Sequence, residues 1–217
     1  APNEYRALAA NIAGDSARIL AGFDELERLA KLEGGAMILP EGESDLGPLV
    51  ERMVIQLQQV LSSRMAGFDL APLPEAPSFI GMTEDDAEAL VWRVLATLAG
   101  SCTAGEALTI SLANQHGIVR LQCELPAQLA AEENIFTAKA KTTTNGLSAG
   151  LFGAGFSLRL ARAEVNSAGG DLVHEDGRIS LTIPHRPAKQ TSPGEDKAPE
   201  SKNDSRKPAK NEQEKAE

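Results

Sequence analysis

A glycine-rich stretch in the last third of the chain is the segment whose residue types best suit ligand binding. Gly153 and Gly155 lack side chains, so the backbone there can approach a ligand closely. Apolar residues then recur every three or four positions, which predicts a helix whose first N–H groups suit a phosphate. No Gly-Lys-Ser/Thr follows, and Leu158 stands where a dinucleotide fingerprint has its third glycine. The alternative is that the glycines only form a loop and a helix cap.

Composition narrows the possible partners. The 217 residues suffice for one medium domain with appendages, and the formal net charge is −10. The segment 187–217 carries equal numbers of basic and acidic residues, so the excess lies on the body. This charge argues against nucleic acid and against an anionic membrane surface. No run of about 18 apolar residues exists, so no membrane span is expected.

The positions of the two cysteines indicate the redox state of the protein's cellular compartment. Cys102 and Cys123 lie in apolar-leaning segments, which favours buried free thiols over a disulfide. We therefore expect a reducing, cytoplasmic location. No Cys/His cluster has the spacing of a metal site.

The first 32 residues predict one long amphipathic helix that ends at Gly34-Gly35. One stripe of this helix is apolar except for a serine, and it consists of Leu8, Ile12, Ser16, Ile19, Phe23, Leu26 and Ala30. The stripe either packs inside its own domain or belongs to a hairpin or dimer whose partner helix lies upstream. The chain opens inside this pattern and without Met, which suggests part of something longer.

The rest of the chain is predicted to alternate helices with strands. In chain order we expect a short strand at 36–39, a helix at 46–65, an irregular strand at 68–80, a helix from a Thr83 cap to about Gly100, a hairpin at 108–125, a long loop at 126–149, the helix after Gly155 and a closing hairpin at 171–183. The polar segment 187–217 is expected to be disordered.

This order of elements resembles the C-terminal part of a bacterial sensor histidine kinase. Three segments carry the resemblance: Ser16 to Gly35, Asp45-Leu46-Gly47-Pro48-Leu49, and Gly153-Ala154-Gly155-Phe156-Ser157-Leu158 followed by Gly169-Gly170. It covers about residues 1–184 and implies an α+β fold, a histidine-kinase-type ATPase α/β sandwich. Such a domain has a mixed sheet with three helices on one face. Residues 1–35 would be the second helix of a dimerisation and phosphotransfer hairpin whose first helix is missing, 36–186 the ATP-binding domain and 187–217 the tail.

The resemblance also implies a nucleotide site. ATP would lie between helices under a mobile lid at 126–150, with Gly153 and Gly155 at the phosphates. Phe156 and Leu158 belong to the same box. Lys139 or Lys141 could pair with a phosphate, or both could be solvated loop charges.

The departures from the family pattern concern adenine and magnesium. Thr97 and Ser101 stand where the family has Asn residues that place magnesium and phosphates, and Ala104 stands where it has Lys. Thr and Ser hydroxyls are weak substitutes. Leu125 stands where the family has its adenine-binding Asp, and strict alternation points Glu124 to the opposite face. Loss of that carboxylate would cost about 1–3 kcal/mol of binding free energy.

Two hypotheses follow, one enzymatic and one not. In the first, ATP donates its γ-phosphoryl group to a His upstream of Ala1, and a response regulator accepts it. No catalytic residue then lies in this chain, and His116, His174 and His185 are ordinary. In the second, the domain is a pseudokinase that dimerises and docks a response regulator. Both imply a homodimer through the first helix in the full-length protein. An ATPase of chaperone or topoisomerase type is a third possibility, which the first helix disfavours.

Overall fold

The computed structural model describes residues 2–138 and 151–186. Lys139, Lys141 and the polar tail therefore lie outside the described residues. The helices are α1 (Pro2–Glu33), α2 (Leu46–Ser62), α3 (Glu84–Ser101), α4 (Ala127–Ala130) and α5 (Ala154–Ser167), with one 3₁₀ turn at Ile135–Thr137. The strands are β1 (Ser44–Asp45), β2 (Gly67–Leu70), β3 (Phe79–Ile80), β4 (Ala107–Gln115), β5 (Ile118–Glu124), β6 (Asp171–Glu175) and β7 (Arg178–Pro184).

Five strands form one mixed sheet in the order β2-β4-β5-β7-β6. The β2–β4 pair is parallel and the other pairs are antiparallel. Helices α2, α3 and α5 cover one face, and their apolar side chains form the main core with the inward residues of the strands. The predicted α+β sandwich with three helices on one face of a mixed sheet is therefore confirmed.

Side-chain caps fix where two of the covering helices, α2 and α3, begin. Asp45 precedes α2 and its carboxylate accepts hydrogen bonds from the N–H groups of Gly47 at 3.1 Å and Ser78 at 2.8 Å. The Thr83 hydroxyl oxygen accepts the N–H of Asp86 at 3.2 Å and starts α3. At the end of α5, Gly169 has a φ of 78°, as the predicted double-glycine stop requires.

The predicted long N-terminal helix is present as α1, and two of its faces have different surroundings. The face with Gly22, Leu29 and Leu32 contacts the rest of the structure, mainly α5. The predicted apolar stripe, which includes Ile12 and Phe23, is exposed instead. The interpretation in which this stripe packs inside its own domain therefore does not hold within the described residues. Despite the 32-residue length of α1, none of the described helices is apolar enough over a sufficient length to cross a membrane.

Several predicted boundaries were wrong. Segment 36–39 is coil rather than a strand, and its apolar character reflects Leu39, which is buried without pairing. The helix α2 ends at Ser62, before Met65 adopts a left-handed conformation with a φ of 56°. Segment 68–80 holds two short strands separated by coil, and the predicted loop from Pro126 begins with α4 and the 3₁₀ turn.

Candidate functional site

The predicted glycine box stands at the N-terminus of α5. Gly153 has a φ of 85° and a ψ of −178°, a conformation that essentially only glycine adopts. Gly155 lies in the first turn, and its N–H donates a hydrogen bond to the carbonyl oxygen of Ala138 at 3.3 Å. A Cβ atom at Gly155 would stand 2.6 Å from the backbone N and O of Ala138. The residue after the 3₁₀ turn therefore packs directly on the start of α5.

The two other residues of the box contribute to packing. Leu158 is fully buried in the main core. Phe156 is partly buried, and it packs on the small cluster that joins Leu29 of α1 to α5. Its ring centroid lies 4.7 Å from that of Phe152. The box thus connects the sheet core, α1 and the segment before α5.

The two hydroxyl groups predicted to replace the magnesium-placing asparagines bond within their own helix. The Thr97 hydroxyl donates to the Arg93 carbonyl oxygen at 2.6 Å, and the side chain is buried. The Ser101 hydroxyl donates to the Thr97 carbonyl oxygen at 2.9 Å. Such bonds to the residue four positions earlier turn the hydroxyls along the helix. Both hydroxyls thus lie against their own helix and have less reach than the asparagine side chains that the resemblance implies. No group of three or more His, Cys, Asp or Glu side chains that could hold a metal occurs within 2–138 and 151–186.

Leu125 follows the end of β5 and lies in the main core, with 7% of its surface exposed. The predicted alternation is confirmed, because Val119, Leu121 and Cys123 are buried as well. Glu124 bonds elsewhere: its carboxylate accepts the N–H of Thr109 at 3.0 Å and pairs with Arg178 at 3.5 Å. The Thr109 hydrogen bond holds the pKa of Glu124 below its ordinary value. Glu124 therefore does not supply a carboxylate where Leu125 stands.

A cavity of about 480 Å³ lies beside Leu125 and was missed by the sequence analysis. The start of β4, the end of β5 and the β6–β7 turn line it, and Glu106 stands in its wall. The Glu106 carboxylate accepts N–H groups from Thr103 and, at 2.8 Å, from Ala127. Burial raises the pKa of Glu106, but these hydrogen bonds outweigh it and leave the pKa lowered. The cavity contains neither the glycine box nor the α3 hydroxyls.

Burial decides the chemistry of the cysteines. Cys102 and Cys123 are free and buried, as predicted. Loss of solvation raises the pKa of each thiol to about 12. Since the thiolate is the nucleophilic form, neither cysteine is reactive at neutral pH.

A buried carboxylate on α5 was also missed. Glu164 is 1% exposed and lies between Arg28 of α1 and Arg93 of α3. The sequence did contain a signal for this buried carboxylate, because Glu164 stands on the apolar face of the helix, three residues after Ala161 and one before Val165. A charge at such a position needs a partner.

Comparison with known proteins shows the fold but not a sequence family. No protein-family model matches the chain, and no curated protein matches it. Among solved structures, the chain is similar to the Acinetobacter baumannii histidine kinase AdeS. The identity is 17% and the TM-score 0.56, over 76% of this chain and 77% of that one.

Two further structures agree. Full-length ShkA in complex with AMPPNP matches with a TM-score of 0.61 and 17% identity, over 83% of this chain and 38% of that one. The catalytic domain of the histidine kinase ThkA matches with a TM-score of 0.51 and 14% identity, over 69% of this chain and all of that one. The chain therefore has the fold of the catalytic ATPase domain found at the C-terminal end of histidine kinases, and a long helix precedes it.

Proposed function

We propose that this chain is part of a sensor-histidine-kinase-like protein of a two-component system in which the ATP site is degenerate. In this proposal the chain acts as a pseudokinase that dimerises through α1 and docks a response regulator. The main support is Leu125, which is buried in the core where the resemblance puts the adenine-binding carboxylate.

The contacts of α3 add to this support. The Thr97 and Ser101 hydroxyls donate to backbone carbonyls of their own helix, which holds both close to α3. Ala104, in the place of the family's Lys, has no charge to offer a phosphate. An adenine amine and a magnesium ion would thus each lack the partners that the resemblance implies for them. Unpaired polar groups at a buried site cost about 1–3 kcal/mol each.

An active kinase is the second candidate, and the glycine box favours it. Gly153 keeps a glycine-only conformation directly before α5, where helix N–H groups can meet phosphates. Full-length ShkA, of similar fold, was solved with AMPPNP. In this case ATP and magnesium would bind, with Lys139 or Lys141 at the phosphates. The γ-phosphoryl group would pass to a His outside this chain and then to a response regulator.

Thermal unfolding with and without about 1 mM magnesium-ATP separates the two candidates. If the site is degenerate, we expect a dissociation constant for magnesium-ATP near or above about 1 mM. Binding at that concentration then stabilises the folded state by about 0.4 kcal/mol or less and raises Tm by no more than about 2 °C. A shift of roughly 5–10 °C would overturn the proposal, since it corresponds to about a hundred-fold excess over the dissociation constant. Magnesium alone is the control for metal effects. If the large shift occurs, its loss in a Lys139→Ala/Lys141→Ala variant would identify phosphate contacts from the lid.

A further inference from the structure

The sheet ends at β6, which pairs with β7 on one side and has no strand on the other. Just after β7, the His185 N–H donates to the Gly117 carbonyl oxygen beside β5 at 2.8 Å. Because backbone groups alternate in direction along a strand, the odd-numbered residues of β7 bond toward β5. Its even-numbered residues therefore bond toward β6.

The register of β6 then fixes which of its backbone groups face outward. Thr182 of β7 lies opposite Asp171, and the Thr182 hydroxyl also donates to the Asp171 carbonyl oxygen at 3.2 Å. The odd-numbered residues of β6 thus use their N–H and C=O groups on β7. Leu172 and His174 turn theirs away from the sheet, and these outward groups form what we call the β6 edge.

The β6 edge has unused hydrogen-bonding groups. The Leu172 N–H donates to the Asp171 carboxylate at 2.8 Å and is therefore occupied. Within 2–138 and 151–186, neither the N–H and C=O groups of His174 nor the C=O group of Leu172 has a hydrogen-bond partner. The edge thus offers one donor and two acceptors, which an added strand can use.

The opposite edge strand, β2, is covered where it begins. The side chain of Gln58 on α2 lies along it: Oε1 accepts the Phe68 N–H at 2.9 Å, and Nε2 would stand 2.9 Å from a Cβ atom at Gly67. An incoming strand would have to displace this side chain. The strand β2 is also shorter, with four residues against five in β6. An added strand therefore fits β6 better.

The side chains of β6 indicate which sequence an added strand would have. Asp171, Val173 and Glu175 stand on the sheet face away from the helices, in alternation with the buried Leu172. Asp171 already pairs with Arg162 at 3.5 Å, whereas Glu175 is exposed and forms no ion pair with any described residue. Opposite charges on neighbouring strands stabilise a sheet and like charges destabilise it. The complementary strand is basic opposite the two acids and apolar between them.

A second copy of this chain does not meet that requirement. Two β6 strands in full antiparallel overlap would place Asp171 of each copy opposite Glu175 of the other, and these like charges oppose the pairing. The occupied Leu172 N–H would also leave the His174 carbonyl opposite it without a donor. The net charge of −10 on the chain likewise favours a basic partner.

We propose that the β6 edge docks an extended basic segment of a partner protein as an added antiparallel strand. The partner residue opposite His174 exchanges both backbone hydrogen bonds with it, and the residue two positions later donates to the Leu172 carbonyl. The matching sequence is basic-x-apolar-x-basic, with the apolar residue opposite Val173. This inference goes beyond the proposed function and holds whether or not ATP binds.

Fluorescence anisotropy of the full chain with a labelled Lys-Thr-Val-Thr-Lys peptide tests the proposal. We expect saturable binding that weakens as salt is added. N-methylation of both threonines blocks the donors that face β6 and should weaken binding at least about ten-fold. N-methylation of the valine, whose N–H faces solvent, is the matched control and should change the affinity by no more than about two-fold. A Glu-Thr-Val-Thr-Glu peptide should bind about ten-fold more weakly.

Variants of the protein test the same contacts from the other side. His174→Pro removes the outward N–H and leaves the hydrogen bonds to β7 in place, so peptide affinity should fall at least about ten-fold. His174→Ala keeps that N–H and should stay within about two-fold of the wild type. Glu175→Lys should weaken binding of the lysine peptide and strengthen binding of the glutamate peptide.

Several outcomes would overturn the proposal. Absence of lysine-peptide binding at about 1 mM is one. Equal effects of the two kinds of N-methylation, or equal affinities of His174→Pro and His174→Ala, would show that the peptide does not pair with β6. Self-association that His174→Pro abolishes would assign the edge to a second copy instead. Should His174→Pro fail to fold, Glu175→Lys decides, and an unchanged preference for the lysine peptide would then refute docking at this edge.

Discussion

Replacing Gly155 by Ala distinguishes a packing role from a phosphate-binding role for the glycine box. The added Cβ atom would stand 2.6 Å from the N and O atoms of Ala138, whereas ordinary van der Waals contact begins at 3.4 Å. Both atoms are backbone, so the end of the 3₁₀ turn must move away. The hydrogen bond from the Gly155 N–H to the Ala138 carbonyl, already 3.3 Å long, would be lost.

The magnitude follows from three contributions. Overpacking against backbone costs about 1–3 kcal/mol, and the lost hydrogen bond costs about 1 kcal/mol. The helix propensity of Ala returns at most about 1 kcal/mol. We expect a net loss of about 1–3 kcal/mol in the free energy of unfolding, which lowers Tm by roughly 2–12 °C without nucleotide.

The assay is thermal or urea unfolding of the ligand-free chain. Gly14→Ala is the matched control, because beyond its chain neighbours and its own helix backbone the added Cβ on α1 would meet no heavy atom within 4 Å, so Tm should not fall. An unchanged or higher Tm in Gly155→Ala would refute the packing argument. If in addition the variant abolished a stabilisation by ATP that the wild type shows, Gly155 would be a phosphate contact instead.

Two further predictions concern α1 and Glu106. In sedimentation velocity, the full chain should form dimers through the exposed stripe of α1, and the Phe23→Glu variant should be monomeric. Ile55→Glu on α2 is the matched control and should still dimerise, because Ile55 and Phe23 are equally exposed, at 59% each. A wild-type monomer at high concentration would count against dimerisation. The Glu106 pKa is lowered in the folded state, so its contribution to stability is present above its ordinary value of 4.5 and is lost as the pH falls through the folded pKa. The difference in unfolding free energy between wild type and Glu106→Gln, measured from about pH 7 to about pH 3, should therefore shrink toward acid, and a constant difference would contradict the assignment.

Most of the fold was predictable because its signals are local. The Thr83 cap, the apolar stripe of α3 and the alternation in β5 each need only a few neighbouring residues. The strand predicted at 36–39 failed because Leu39 is apolar for a tertiary reason: it is buried against the domain while its N–H bonds to Ser167. Local sequence contains no trace of that distant hydroxyl.

The orientation of the candidate residues was predictable from the sequence, but their hydrogen-bond partners were not. Alternation alone put Leu125 inward and Glu124 outward, and both are found so. The Thr97 and Ser101 hydroxyls donate to carbonyls of their own helix. Whether they do so depends on the other acceptors around α3, and those acceptors come from elements that are distant in the sequence. The Glu106 carboxylate binds Ala127, 21 positions away, and Glu164 binds Arg28, 136 positions away. Such pairings arise only once the chain has folded.

The glycine box does not conflict with the proposed degenerate site, because its glycines have packing roles that need no nucleotide. Gly153 permits the backbone to turn into α5, and Gly155 makes room for Ala138. Leu125, Thr97 and Ser101 show the opposite pattern: a core leucine and two helix-bonded hydroxyls lie in positions where the resemblance implies polar groups that contact a nucleotide. Selection for folding alone would therefore keep the glycines and would also permit these three residues. The presence of the glycines is therefore not by itself evidence for ATP binding, whereas a carboxylate at position 125 would have been such evidence.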